Sequence, residues 1–240
     1  MRSSSEIKSD ARLIMQQNLR SILLISLGYL AVTYILSLLY SELSGFSEYM
    51  KQYSEMVRKY METGEMYYIE FPQVKTTSNI LATLISLASI VLAGGYRGYH
   101  LLRARGMEAN FMDIMPNGGQ IFRILCIDFA SGLIIALGLM LFIVPGVILA
   151  YSYSQAIFVM YDNPGMSAFQ CMRESRRLMR GHKLRLFRLE ISFLGWLIVA
   201  AIVGMFLPIL NVWLDPYMGI SVASFYNELI ARENSAPMVL

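Results

Sequence analysis

The sequence has few of the residues that most enzymes and metal sites use. Its 240 residues include two cysteines and two histidines, and charged residues make up 15%. Cys126 and Cys171 lie outside any CxxC motif or Cys/His cluster, and neither His100 nor His182 has a second metal-type ligand at helical spacing. These scarcities argue against a metal site and against a redox pair of cysteines.

Recognisable catalytic motifs are also missing. The chain contains no GxSxG, HExxH or Walker motif, and no paired aspartates within its apolar runs. We therefore expect a protein that is not an enzyme and that uses no cofactor.

Apolar residues, in contrast, are abundant. They make up 56% of the chain, and the mean hydropathy is +0.49, whereas soluble domains contain about 45–50% apolar residues. The pattern predicts an all-α integral membrane helical bundle, a single domain over residues 1–240, with about six transmembrane helices plus amphipathic interfacial helices. The predicted spans are 22–40, 79–99, 121–144, 147–161, 189–207 and 217–230.

Turn motifs between these spans and a packing motif within one of them add detail to the prediction. Pro145-Gly146 predicts a tight turn between the third and fourth spans, and residues 208–216 predict another turn before the sixth. Gly94 and Gly98 form a GxxxG pair in the second span, which predicts close packing of helices.

The distribution of charge predicts the topology. Basic residues concentrate before the first span, between the second and third, and between the fourth and fifth, whereas the long loop 41–78 has more acidic than basic residues. The positive-inside rule then places both termini in the cytoplasm and the loop outside the cell membrane. Apolar residues at helical spacing over 46–61, followed by Gly64, predict a helix in this loop. It is either an amphipathic cap or a partner surface rich in Tyr and Met.

The segment from Asp162 to Trp196 combines basic and apolar residues. Asn163 and Pro164 are typical of a helix start and Gly181 of a helix stop, which predicts a cytoplasmic basic helix over 164–180. Its apolar stripe and its place between two spans favour anionic lipid headgroups over nucleic acid as the partner. The alternative is that its arginines only enforce the topology. The candidate lipid contacts are Arg173, Arg177, Arg180 and Lys183.

Few ionisable groups lie inside the predicted spans. Asp128 is the only carboxylate well within a clear span, and Arg97 lies at comparable depth, so we predict a polar pair of the two. A role in proton or ion coupling is the alternative. The fourth span is unusually polar, which predicts a cavity shielded from lipid. Its polar residues are Tyr151, Ser152, Tyr153, Ser154 and Gln155.

The basic segment also carries a family resemblance. The stretch SRRLMRGHKLRLFRLEISFLGW contains Met179, Gly181-His182-Lys183 and Ser192-Phe193-x-Gly195-Trp196, and the chain also has IKSDAR near its start and Asp162-Asn163-Pro164. In these features it resembles the domain-of-unknown-function family nine-seven-five, uncharacterised bacterial membrane proteins. The resemblance implies an integral membrane protein of about six spans, and it implies no assigned activity.

Two classes of function remain open. The first is a non-enzymatic membrane protein that interacts with lipid or assists a membrane complex. The alternative is a small-molecule or ion transporter that uses the polar fourth span and Asp128. The small number of intramembrane ionisable groups favours the first, and no protein partner can be named from the residues.

Overall fold

The computed structural model describes residues 2–64, 68, 73–204 and 209–235, and all regular structure in those ranges is helical. The all-α prediction is therefore confirmed for the described residues. Besides a short 3-10 helix at Phe111–Ile114, the helices are α1 (Ser4–Gln17), α2 (Leu19–Leu43), α3 (Phe46–Thr63), α4 (Thr76–Ala104), α5 (Gly118–Leu141), α6 (Ile143–Tyr153), α7 (Ala156–Asp162), α8 (Ala168–Leu178), α9 (Lys183–Ile191), α10 (Leu194–Gly204) and α11 (Ile209–Ser235).

The chain divides into two compact units. One comprises Met1–Tyr29 and Ile90–Leu240, and the other comprises Leu30–Ser89. The second unit contains α3, which ends at Gly64 with a positive φ of 72°. The prediction of a helix in the 41–78 loop is thus confirmed, while residues 65–67 and 69–72 of that loop lie outside the described residues.

Four helical segments are long and apolar enough to cross a membrane. They are Leu19–Leu43, Thr76–Ala104, Gly118–Leu141 and Ile143–Asp162. The bent pair Lys183–Ile191 and Leu194–Val203, with 42° between its halves, adds a fifth if it counts as one span. Length and composition thus support a helical membrane protein with about four such helices.

The connection between α5 and α6 differs from the predicted turn at Pro145-Gly146. The break lies at Phe142, which is extended (φ −158°, ψ 148°), and Pro145 falls within the first turn of α6. Proline fits there because the first-turn N–H groups have no partner within the helix. Gly146 then lets α6 approach α5, since a Cβ at Gly146 would overlap Leu139.

The basic helix begins later than predicted. Asn163 caps the end of α7, donating from its backbone N–H to the Val159 carbonyl at 2.9 Å. Pro164 lies in the connecting loop, and its carbonyl accepts a hydrogen bond of 2.8 Å from Arg123 of α5. The N-cap is Ser167, in a capping box with Gln170. The helix predicted over 164–180 is therefore α8, and Gly181 follows it with φ 75°.

The predicted fifth span is divided in two. α9 ends at Ile191 and α10 begins at Leu194, and Lys8 of α1 donates to the Ser192 carbonyl at 3.1 Å in the break. A lysine therefore satisfies a backbone acceptor that the broken helix leaves open. Residues 205–207 of the predicted span 189–207 lie outside the described residues.

The turn predicted over 208–216 is wrong for residues 209–216, because α11 runs from Ile209 to Ser235 with Pro216 inside it. Leu214 and Tyr217, on either side of this proline, are 2% and 1% exposed. Packing of such side chains against neighbouring helices supports the helix where proline removes a hydrogen bond. The predicted sixth span, 217–230, lies within α11.

Three glycines in α4 allow close contacts with neighbouring elements. A Cβ at Gly94 would lie 2.6 Å from Ile124 Cγ2, and one at Gly98 would overlap the ring of Tyr161. The close packing predicted from the GxxxG pair is confirmed. A Cβ at Gly95 would overlap the backbone carbonyl oxygen of Ile114.

Charged hydrogen bonds join the ends of α4 and α7 to α11. Arg105 donates to both carboxylate oxygens of Asp162 at 2.7 Å and to Asn227 Oδ1 at 3.1 Å. The Tyr226 hydroxyl donates to the same carboxylate at 2.9 Å. The hydrogen bonds to Asp162 raise the pKa of the Arg105 guanidinium above its ordinary value. Segments distant in sequence are thereby fixed to one another.

Candidate functional site

A cavity of about 730 Å³ lies within the unit formed by Met1–Tyr29 and Ile90–Leu240. We call it the acidic cavity, because three carboxylates reach its lining: Asp128 from α5, Glu190 from α9 and Asp215 from α11. Among the described residues, Arg97 of α4 is the one Arg or Lys side chain that lines it. With His100 neutral, the lining has a formal charge of −2.

The carboxylates of the acidic cavity do not form ion pairs with basic side chains anywhere in the described part of the chain. Asp128 is exposed, and Glu190 and Asp215 are half-buried. Carboxylates facing a cavity in a membrane protein need water, a cation or a polar partner. The lining is therefore suited to binding a polar or positively charged group.

The structure brings Asp128 and Arg97 to the same cavity but not into an ion pair. Both side chains are exposed. Whether the two residues act as a polar pair stays a prediction.

The polar residues of the fourth predicted span have two different roles. Tyr153 and Ser154 line the acidic cavity. Ser152 and Gln155 instead are buried at the break between α6 and α7, where the Ser175 hydroxyl donates to the Ser152 carbonyl at 2.8 Å and accepts from the Gln155 N–H at 3.2 Å. Ser175 of α8 thus satisfies backbone groups that the broken helix leaves without helical partners.

Tyr151 reaches the site through Glu190. Its hydroxyl donates to Glu190 Oε2 at 2.6 Å, and its ring meets Phe187 edge-on at 5.9 Å between centroids. A hydroxyl that donates to a carboxylate stabilises the charged form and fixes its orientation. Tyr151 therefore positions Glu190 at the cavity.

Aromatic rings from four helices line the acidic cavity. Tyr29 stacks on Tyr96 with 3.8 Å between ring centroids, and the Tyr96 hydroxyl lies 2.8 Å from Ser26 Oγ. Tyr153 and Phe158 also line the cavity. These rings add apolar surface to the lining.

His100 is the most deeply buried ionisable residue of the lining. It is 5% exposed and lies 4.1 Å from Tyr96 between ring centroids. Gly219 of α11 makes room for it, because a Cβ there would overlap the imidazole. Its Nε2 atom is buried and has no hydrogen-bond partner among the described residues. A buried ring nitrogen without a hydrogen-bond partner carries a desolvation cost.

Sequence reasoning did not assign Glu190 and Asp215 to the site. Glu190 lies at the start of the predicted fifth span, directly after the basic run, and Asp215 falls in the segment predicted to be a turn. The spacing of Leu210, Trp213, Leu214 and Tyr217 is helical, and this signal could have placed Asp215 on a helix.

The basic residues of α8 are not equivalent. Arg177 forms ion pairs with Glu174, at 2.9 Å from Nε to Oε2, and with Glu233 of α11. These hydrogen bonds raise the pKa of Arg177 and lower that of Glu174. Arg173 and Arg180 are exposed, and Lys183 is half-buried at the start of α9. The face of α8 that contains Cys171, Met172 and Leu178 is buried within the protein.

His182 lies between α8 and α9. Burial, then Arg185 and Arg232, lower its pKa. No group of three or more His, Cys, Asp or Glu side chains suited to a metal occurs among the residues that the structure covers. Cys126 and Cys171 are free thiols.

Comparison with known protein families identifies the chain. The family model described as "Protein of unknown function (DUF975)" matches residues 79–233, more than half of the chain. The chain belongs to the DUF975 family. The resemblance seen in the basic segment is thus confirmed, although the IKSDAR motif of α1 lies outside the matched residues. Neither a curated protein nor a solved structure matches the chain.

The region of the DUF975 match contains the charged residues of the acidic cavity, from Arg97 to Asp215. It also contains α8 and the Arg105–Asp162 pair. Tyr29 is the lining residue that lies outside it. The family itself has no described function, so the activity has to be argued from the cavity.

Proposed function

We propose that this DUF975 protein is a non-enzymatic membrane protein whose acidic cavity holds a small molecule or ion during transport across the bilayer. The observation behind the proposal is the cavity itself, about 730 Å³ with three carboxylates and one arginine on its lining. Ligand sites in proteins commonly measure about 300–1,000 Å³. Charged side chains inside membrane proteins typically mark ion or substrate pathways.

The proposed arrangement has six spans, with both termini in the cytoplasm of the cell. Five correspond to α2, α4, α5, α6–α7 and the bent pair α9–α10, and α11 is the sixth. The basic connections between spans support this orientation, and so does the acidic character of the 41–78 loop.

The water accessibility of the acidic cavity tests the proposal. Ser131 lines the cavity and donates to the Ile127 carbonyl of its own helix, so Ser131→Cys introduces a thiol with little change in shape. We expect this thiol to react with the membrane-impermeant reagent MTSET from at least one side, in spheroplasts or in inverted membrane vesicles. The wild-type chain, with Cys126 and Cys171, gives the background.

Three further cysteines serve as controls. Ser86→Cys, in α4, is matched to Ser131 because Ser86 also donates to its own helix but does not line the cavity. It should stay unreactive. Ser54→Cys in α3 should react only in spheroplasts, and Ser9→Cys in α1 only in inverted vesicles. If Ser131→Cys reacts from neither side while both markers behave as expected, the transport proposal is wrong.

The exposed arginines of α8 and of the turn that follows it support a second, compatible role in binding anionic lipid headgroups. Arg173 and Arg180 are exposed, whereas Arg177 is engaged by two glutamates. A basic side chain near an anionic surface contributes about 1 kcal/mol to membrane binding. The lipid contact is therefore expected from Arg173 and Arg180 and not from Arg177.

We expect Arg173→Glu/Arg180→Glu to reduce copurification of anionic phospholipid by more than half, without changing the melting temperature. Arg177→Ala should retain the lipid, and because its side chain is 52% exposed the melting temperature should fall only slightly. Lipid analysis of the purified variants and thermal unfolding in detergent measure the two effects. Equal lipid content in the double variant and the wild type would mean that these arginines serve only the topology.

A further inference from the structure

The helix α3 has two faces of opposite character. At about 100° per residue, its apolar side chains share one arc of about 140° that contains no polar residue, and its charged side chains lie on the opposite side. The apolar face consists of Phe46, Tyr49, Met50, Tyr53, Met56, Val57, Tyr60 and Met61. The charged face carries Glu48, Lys51, Glu55, Arg58, Lys59 and Glu62.

The apolar face of α3 is not covered by the described part of the chain. The helix belongs to the unit Leu30–Ser89, together with the end of α2 and the start of α4. It contains no buried residue, and most of its apolar face is exposed, with Phe46 at 56% and Met61 at 81%. A continuous exposed apolar face of this kind marks a surface that contacts protein or membrane.

The connection to α2 identifies the membrane as the partner. α2 is long and apolar enough to cross a membrane and ends at Leu43, and α3 begins at Phe46. Since consecutive Cα atoms are 3.8 Å apart, the start of α3 lies no more than about 11 Å from the end of α2. Tyr40 and Glu42, both exposed in the last turns of α2, are typical of a membrane interface. The start of α3 is therefore held at the surface where α2 leaves the bilayer.

We propose that α3 lies along this membrane surface, with its apolar face inserted among the lipid acyl chains and its charged face in water. The tyrosines of the apolar face suit the headgroup level, where amphipathic rings are enriched. The inference goes beyond the proposed function. It depends on that proposal only for the side of the membrane, which is the outer side in the proposed orientation.

The charge of α3 restricts how it binds lipid. Its three acidic and three basic residues give a net charge of zero, so the insertion depends on apolar burial and not on anionic headgroups. A second copy of α3 fits the face less well, because paired helices bury a narrow seam of a and d positions. Acyl chains, in contrast, cover the whole width of the apolar face.

Spin labels on the two faces test the proposal with the full chain in phosphatidylcholine liposomes. Val57→Cys places a nitroxide on the apolar face and Glu55→Cys places one on the charged face. Oxygen concentrates in lipid, whereas the nickel complex NiEDDA stays in water. We expect the ratio of oxygen to NiEDDA collisions at residue 57 to be at least about fivefold that at residue 55, because only the apolar face reaches the acyl chains. The labelled wild-type chain gives the background of Cys126 and Cys171.

Each other outcome of the labelling overturns the proposal. Equal collision ratios at residues 55 and 57 would place the apolar face in water. A label at residue 57 that is shielded from both reagents would mean that protein covers the face, and dipolar broadening would identify that protein as a second copy of the chain. Adding phosphatidylglycerol should change the ratio by less than about twofold, and a larger change would mean that headgroup charge holds the helix.

Two glutamate variants provide a matched test that uses no label. Val57→Glu adds a charge to the apolar face, and Gln52→Glu adds the same charge to the polar side of α3. We expect trypsin to cleave α3 at least about fivefold faster in Val57→Glu than in the wild type, because a charge opposes insertion into lipid. Gln52→Glu should stay within about twofold of the wild type. Unchanged protection in Val57→Glu would overturn the proposal.

The side of the membrane is determined separately. Trypsin is added to whichever preparation, spheroplasts or inverted vesicles, allows Ser54→Cys to react with MTSET, since Ser54 lies at the border of the two faces. Reaction in inverted vesicles alone would contradict the proposed orientation but not the insertion of α3. A low oxygen ratio at residue 57, with Ser54→Cys reacting in spheroplasts, would contradict the insertion alone.

Discussion

Gly95→Ala should destabilise the protein by about 3 kcal/mol, near the upper end of the usual cost of overpacking. The added Cβ would overlap the Ile114 carbonyl oxygen, and a backbone atom cannot move aside as a flexible side chain can. Ile114 is itself 0% exposed and ends the short 3-10 helix before α5. We expect the melting temperature in detergent to fall by about 10 °C.

Two other glycines are controls for this prediction. Gly94→Ala meets only the side chain of Ile124, so its cost should be smaller than that of Gly95→Ala. Gly132, within α5, has nothing within 4 Å of an added Cβ. Gly132→Ala should leave stability unchanged or raise it by about 0.5–1 kcal/mol. Wild-type stability of Gly95→Ala would mean that the Phe111–Ile114 segment does not pack against α4.

The helical character of the chain could be predicted from the sequence because it depends on local patterns. Long apolar runs predicted the candidate membrane helices, and Gly64 and Gly181 marked the ends of α3 and α8. The predicted helix boundaries were wrong where two local sequence signals competed. Asn163-Pro164 resembles a helix start. However, Asn163 caps the end of α7 and Arg123 binds the loop that follows, so α8 begins later, with Ser167 as its N-cap.

The acidic cavity was only partly predictable. Asp128, Arg97, Tyr153 and Ser154 could be singled out, because polar residues in apolar runs are unusual. Glu190 and Asp215 could not, since they reach the cavity only through the packing of α9 and α11 against helices distant in sequence. The position of Asp215 also depends on Pro216 lying within a helix, which burial of the residues beside it makes possible.

The pair of Arg105 and Asp162 shows how such long-range packing is held, and Arg105→Ala should cost about 2 kcal/mol of stability. The substitution removes two hydrogen bonds of 2.7 Å from a carboxylate whose side chain is only 20% exposed. Tyr226 would remain as a donor to Asp162. Arg105→Lys should have an intermediate effect, because an ammonium keeps the charge but cannot make the paired contact.

A double-mutant cycle of Arg105→Ala and Asp162→Ala, measured by thermal unfolding in detergent, isolates the interaction. We expect a coupling free energy of about 1–3 kcal/mol, because the two side chains are in direct contact. The matched control is the pair of Arg2 and Asp10, whose side chains are 43% and 40% exposed, and its coupling should stay below about 1 kcal/mol. Additive effects of Arg105→Ala and Asp162→Ala would show that the contact does not hold α4 to α7. The other ion pairs of α11, Arg177–Glu233 and Arg185–Glu228, would then hold that helix and Asp215 in place together with apolar packing.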